Sequence, residues 1–209
     1  MDYFALTYSA LSSLALRRSV FHSEADFQHE LAIELAKTQP GLDIRLEYPV
    51  PGGALDMVLL DQARKPCFAV ELKYRKARLE TEIAGEQFRL LNHGARDHGA
   101  YAIWQDVSRI EQFEGGRLQG LVIVITNDKG YLAEAKESTN FYDFRLSARR
   151  KLSGLVELNW RDPSSQSFRK YPKTISLRGG YHLEWSEYSR VPGSHNVHFF
   201  CLKLEVNRH

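Results

Sequence analysis

The sequence predicts an α/β fold: a mixed central sheet flanked by helices, with a β-rich C-terminal extension. One observation is the order helix, three strands, helix, strand between Ser23 and Thr126, which suits a sheet covered by helices. A second is the polar cluster Asp61–Pro66 between two apolar runs, short enough to make those strands antiparallel. The third is a change of texture after Gly154, where short apolar runs alternate with Pro, Gly and Ser clusters. The reading divides the chain into a core over residues 1–150 and an extension over 151–209 that packs on it.

The first helix is expected over Ser23 to about Lys37. Phe27, Leu31 and Leu35 recur every four residues, the spacing of one helical face. Ser23 is an N-cap candidate, Glu24 and Asp26 suit the first turn, and Pro40-Gly41 stops the helix. Asp43–Val50 alternates Ile44, Leu46 and Tyr48 as a strand, and Pro51-Gly52-Gly53 breaks it. Leu55–Leu60 and Cys67–Tyr74 are the second and third strands. Thr81–Asn92 reads as helix through Ile83, Leu90 and Leu91, and Val107–Phe113 as a further helix. Gly120–Thr126 is a continuous apolar run, the pattern of a strand buried on both faces. Residues 141–150 read as helix. Leu155–Trp160, Thr174–Leu177, Tyr181–Tyr188 and His198–Val206 read as strands.

Composition narrows the class. The 209 residues are 43% hydrophobic and 26% charged, ordinary for a globular chain and unlike a disordered one. Lys and Arg number 28 against 26 Asp and Glu, a net charge of +2. That permits a nucleic-acid partner without announcing one. Cys67 and Cys201 form no metal spacing and read as apolar fillers of a reducing compartment. Near the N-terminus Arg17 and Arg18 follow the apolar stretch, the reverse of a secretory signal. No apolar run is long enough to span a bilayer. A cytoplasmic location without membrane contact is expected. Walker, dinucleotide and nucleophile-elbow motifs are absent.

The chemistry concentrates on the two strands around the Asp61–Pro66 turn. If those six residues form the turn, Leu60 faces Cys67, Val58 faces Ala69 and Asp56 faces Glu71. The period of two then places Lys73 on the same face as Glu71. Glu71-x-Lys73 alone would be an ordinary strand-end ion pair. Facing Asp56, it becomes two carboxylates and one ammonium converging at the end of apolar strands. Paired carboxylates tolerate full charge only with a cation between them, and a Mg²⁺ ion completed by water and phosphate fits that need. Arg75, Lys76 and Arg78 follow as a basic cluster suited to phosphates.

Gly53-Ala-Leu-Asp56 followed by Glu71-Leu-Lys73 resembles the PD-(D/E)XK nuclease signature, with Leu55 where a proline often stands. The resemblance covers about residues 23–126 and implies a restriction-endonuclease-like core. It implies a metal-dependent nuclease acting on nucleic acid, DNA ahead of RNA. Asp56 and Glu71 would hold Mg²⁺, with Mn²⁺ able to substitute. Lys73 would orient or deprotonate water, or stabilise charge on the phosphate. Many members add a glutamate from the first helix. Alignment puts Gln28 there, and Glu24 one turn earlier is the other candidate, while Glu30 is expected to face solvent. Gln87 matches a glutamine that some members place near the site. Members often act as homodimers. The alternative is a non-catalytic nucleic-acid-binding or protein-interaction module on the same fold, which Gln28 in place of an acid favours. His93, Arg96, Asp97 and His98, with Tyr101 and Asp106, form a polar stretch read as a capped loop or a substrate contact. Trp104, Trp160 and Trp185 read as packing residues.

Overall fold

A computed structural model describes residues 1–51, 53–193 and 197–208, apart from the Glu114 side chain. Gly52, expected in the turn before Asp56, lies outside the described residues. Two helices open the chain, α1 over Tyr3–Arg17 and α2 over Glu24–Thr38. Ser23 caps α2 as expected, its side chain accepting from the Asp26 amide. Strands β1 (Asp43–Val50), β2 (Gly53–Leu60) and β3 (Pro66–Arg75) follow. Next come β4 (Leu79–Ile83), β5 (Glu86–Leu90), α3 (Arg96–Gln112) and β6 (Gln119–Thr126).

The C-terminal third supplies short pairs and two sheet strands. These are β7 (Lys151–Leu152), β8 (Val156–Leu158), a short α4 (Gln166–Lys170), β9 (Ile175–Leu177), β10 (Tyr181–His182), β11 (Trp185–Arg190) and β12 (His198–Val206). The main sheet has six strands in the order β1-β2-β3-β6-β12-β11. β3 and β6 run parallel and every other neighbouring pair is antiparallel. The sheet is therefore mixed, as expected. The final two strands do more than pack on it: β12 pairs with β6 from Phe200↔Thr126 to Val206↔Gly120.

Alternate residues of the central strands feed two separate cores. Leu121, Ile123 and Ile125 of β6 join Val70 and Leu72 of β3 in the core under α1 and α2. Val122 and Val124 join Ala69 in the core under α3 and the short C-terminal strands. Gly120 sets the height of α3 above the sheet. A Cβ there would lie 2.8 Å from Ala69 O and 2.9 Å from Ile110 Cγ2. The lack of a side chain lets α3 come down onto β3 and β6.

Four expected elements differ. Residues 81–92 are a hairpin of β4 and β5 instead of a helix. Ala84 and Gly85 both have positive φ, 51° and 85°, which suits the tight turn between two strands. Leu79, Phe88 and Leu90 are buried among exposed neighbours. The helix expected at 107–113 begins eleven residues earlier, at Arg96. The polar stretch read as a capped loop hid that start: Arg96, Asp97 and His98 open α3, and next in the helix is Gly99. It packs against the Tyr131 ring, whose hydroxyl would lie 2.1 Å from any Cβ. Residues 141–150 hold only a single 3-10 turn, Tyr142–Phe144. Arg149 turns the chain at φ 67°, and the Arg150 guanidinium takes the carbonyls of Asp143 and Arg145. The expected run Tyr181–Tyr188 is split into β10 and β11.

Candidate active site

The β2–β3 ladder runs Leu59↔Phe68, Val58↔Ala69 and Met57↔Val70, the register expected from the turn. The exception is its base, where a bulge sets Leu60 opposite Pro66 instead of Cys67. Asp56 and Glu71 are the next step after the last paired residues. There Asp56 takes over from the ladder: its Oδ2 accepts a hydrogen bond of 2.7 Å from the Leu72 amide. That amide lies between Glu71 and Lys73. One carboxylate thus pins the end of β2 to the segment that carries the other charged groups.

On the same face, α3 brings two residues that form no motif. Lys73 Nζ lies 2.7 Å from Asp106 Oδ2, and Arg109 Nη1 lies 2.6 Å from Glu71 Oε1 and 3.3 Å from Asp106 Oδ1. Asp106 and Arg109 are three residues apart, so one face of α3 presents both to β3. Glu71 is fully buried, and Asp106 is 3% exposed. No described group hydrogen-bonds to Glu71 Oε2, although that atom is buried.

Helix α2 closes the other side. Glu24 Oε2 accepts from the Tyr74 amide at 2.7 Å, and its Oε1 stands 3.9 Å from Lys73 Nζ. Gln28 is buried and turned to other partners, donating to Glu47 Oε1 at 2.8 Å and to Asp56 O at 2.6 Å. It buttresses the Asp56 backbone and steadies Glu47, which has a positive φ of 51°. Glu30 pairs with Arg17 at 2.8 Å, away from the cluster.

The remaining expected residues divide. Arg75 continues along β3, half-buried, with its Nε lacking a hydrogen-bond partner. Lys76 Nζ donates to His22 O at 3.3 Å. Arg78 is exposed and paired with Glu80 at 3.0 Å. Gln87 does not join the cluster: it sits exposed on β5 and bonds to Glu82 of the same hairpin. The helix that would have carried it inward is a hairpin. The indole nitrogens of Trp104, Trp160 and Trp185 each donate to a backbone carbonyl within the fold, in keeping with packing roles. Cys201 is buried and Cys67 half-buried, and both are free.

The electrostatics follow from four acids, Glu24, Asp56, Glu71 and Asp106, gathered around Lys73 and Arg109, with Arg75 also acting on Glu24. Burial, reinforced by Asp106 and Asp56, pushes the Glu71 carboxyl up to about 9. Burial also raises Asp106, more than Lys73 and Arg109 lower it. For Lys73, burial alone would lower the ammonium, but Asp106, Glu24 and Asp56 outweigh it and the net shift is upward. The cluster is short of positive charge, and Glu71 is where the deficit falls. Among the described residues no three His, Cys, Asp or Glu side chains form a ligand cage. A Mg²⁺ ion held by one or two carboxylates with water and phosphate needs no such cage. The donor set is compatible with a hard divalent cation in two respects: its ligands are oxygens, and one buried carboxylate oxygen has no partner.

Compared with family models, curated proteins and solved structures, the chain matches none. Among the described residues no helix is long and apolar enough to cross a membrane.

Proposed function

We propose that the chain is a divalent-metal-dependent nuclease that hydrolyses phosphodiester bonds, with DNA as the favoured substrate. The observation that carries this reading is the Asp56 carboxylate bonded to the Leu72 amide, beside a buried Glu71 whose Oε2 has no hydrogen-bond partner. A strand end built only for stability gains nothing from facing acids, since each raises the cost of ionising the other. Asp56 and Glu71 would hold Mg²⁺ or Mn²⁺, and Glu24 is the nearest further acid. When bound, such an ion polarises the phosphate and lowers the pKa of a coordinated water.

The chain's own groups have separable tasks. Lys73 is held as an ammonium by Asp106, which suits it to stabilise charge building on phosphate and leaves it a poor proton acceptor. Asp106 fixes the Lys73 head group and is a positioning residue. Gln28 positions Asp56 through its backbone carbonyl and ligates nothing in this arrangement. Arg75 and Lys76, next along β3, are placed to take phosphates flanking the cleavage point.

A second reading, a binding module without catalysis, is favoured by one observation: the Arg109 guanidinium already occupies Glu71 Oε1. Cleavage of labelled DNA and RNA with Mg²⁺ or Mn²⁺ separates the two. Asp56→Asn is the preferred comparison because its amide oxygen still accepts from Leu72 while the charge is lost. Metal-dependent cutting in the wild type, lowered about a hundredfold or more in this variant, supports the nuclease. Tight nucleic-acid binding with no cutting under any metal supports the module.

A further inference from the structure

Resting on the nuclease reading, we propose that Arg109 is a resident counter-cation that nucleic acid displaces, so that substrate and metal bind cooperatively. The guanidinium spans two environments. Inward, Nη1 donates to Glu71 Oε1 at 2.6 Å and to Ala54 O at 3.3 Å. Outward, the side chain is 27% exposed and lines a cavity of about 260 Å³. Gln105, Ser108 and Gln112 of α3 form one wall of that cavity, and Lys173 and Thr174 form the other. The lining is rich in donors and carries a second cation, the chemistry that accepts a phosphate backbone.

The competition is one of charge. A divalent cation at Glu71 must approach a carboxylate that already has a guanidinium on it, so Arg109 opposes metal entry. A phosphate in the adjacent cavity offers Arg109 a bidentate partner of equal or greater strength. Once the guanidinium turns outward, neither Glu71 oxygen is paired, and both are open to a metal ion. Each ligand then favours the arrangement that the other needs, which is a reciprocal coupling. Metal alone would find the site guarded, and hydrolytic competence would be confined to the substrate-bound protein.

Calorimetric titration of Mn²⁺ into the full chain tests this, with and without a short DNA duplex whose phosphates carry slowly cleaved sulfur substitutions. Uptake by the duplex alone is subtracted. The wild type should bind Mn²⁺ at least about fivefold more tightly with DNA present. Arg109→Met should bind Mn²⁺ tightly without DNA and show little further gain. Arg109→Lys, which keeps the charge but loses the planar fork, should fall between and guards against a Met variant that does not fold. DNA-independent Mn²⁺ affinity in the wild type, or undiminished coupling in Arg109→Met, would overturn the displacement while leaving the metal site standing. No Mn²⁺ binding in any variant, with or without DNA, would instead sink the nuclease reading and the displacement with it.

Discussion

Asp56 uses one carboxylate for two tasks: it replaces a ladder carbonyl for the Leu72 amide, and it places negative charge beside Glu71. The consequence falls on Glu71, whose proton affinity rises into the neutral-to-alkaline range. From the ordinary glutamate value up to about 9, the metal-free folded chain keeps a proton that the unfolded chain releases. The folded state binds more protons, so stability falls as pH rises through that window. The share due to Glu71 is up to about 1.4 kcal/mol per pH unit. Chemical denaturation in a chelator at roughly pH 6 and pH 8 should show wild type losing stability relative to Glu71→Gln. Parallel pH profiles for the two proteins would contradict the assignment. The grouping of Asp56, Glu71 and Lys73 was legible in the sequence because a strand's period of two and a short turn fix which side chains share a face. Arg109 was not, and Asp106 stood out only as part of a polar stretch, because their placement depends on where α3 lands, and that is set by packing at Gly120.

At the scale of elements, the same contrast separates what local pattern decides from what contacts decide. Strands β1, β2, β3 and β6 follow from apolar alternation and turn residues, and the structure places all four in one sheet. The β4–β5 hairpin misleads because Ile83, Leu90 and Leu91 admit a helical spacing, while Ala84-Gly85 settles the matter as a tight turn. Its docking adds to that choice: His22 stacks on Phe88 with ring centroids 4.5 Å apart and bonds to Glu86 at 2.8 Å. The pairing of β12 with β6 could not be read locally, since a strand's partner far along the chain leaves no trace in its own sequence. It has a firm consequence. Ending the chain before His198 would bare the β6 edge and remove Leu202, Leu204 and Val206 from the core. Losing three buried aliphatic side chains costs several times the roughly 2–5 kcal/mol of one large core truncation. Such a chain should lack cooperative thermal unfolding and should aggregate. A truncated chain that melts cooperatively near the wild-type temperature would mean that β12 is dispensable.

As a whole, the molecule is a mixed sheet with helices α1 and α2 on one face and α3 with the short C-terminal strands on the other. The cluster sits where β2 stops pairing with β3, so backbone hydrogen bonding gives way to charged side chains at that point. Contributions from both layers meet there, Glu24 from α2 and Asp106 with Arg109 from α3. Glu111, two residues past Arg109 and buried on α3, accepts from the Arg178 and Gly179 amides and the Tyr181 hydroxyl. This ties the C-terminal strands to the helix that carries the site. The fold thus gathers a charged cluster at the end of two interior strands, with side chains from the sheet, α2 and α3. Anomalous diffraction from crystals grown with Mn²⁺ and a slowly cleaved DNA duplex probes that cluster most directly. The account predicts a peak within coordination distance of both the Asp56 and Glu71 carboxylates, with the Arg109 guanidinium withdrawn from Glu71. Density for ordered DNA with no metal peak there, and Arg109 still bonded to Glu71, would contradict it.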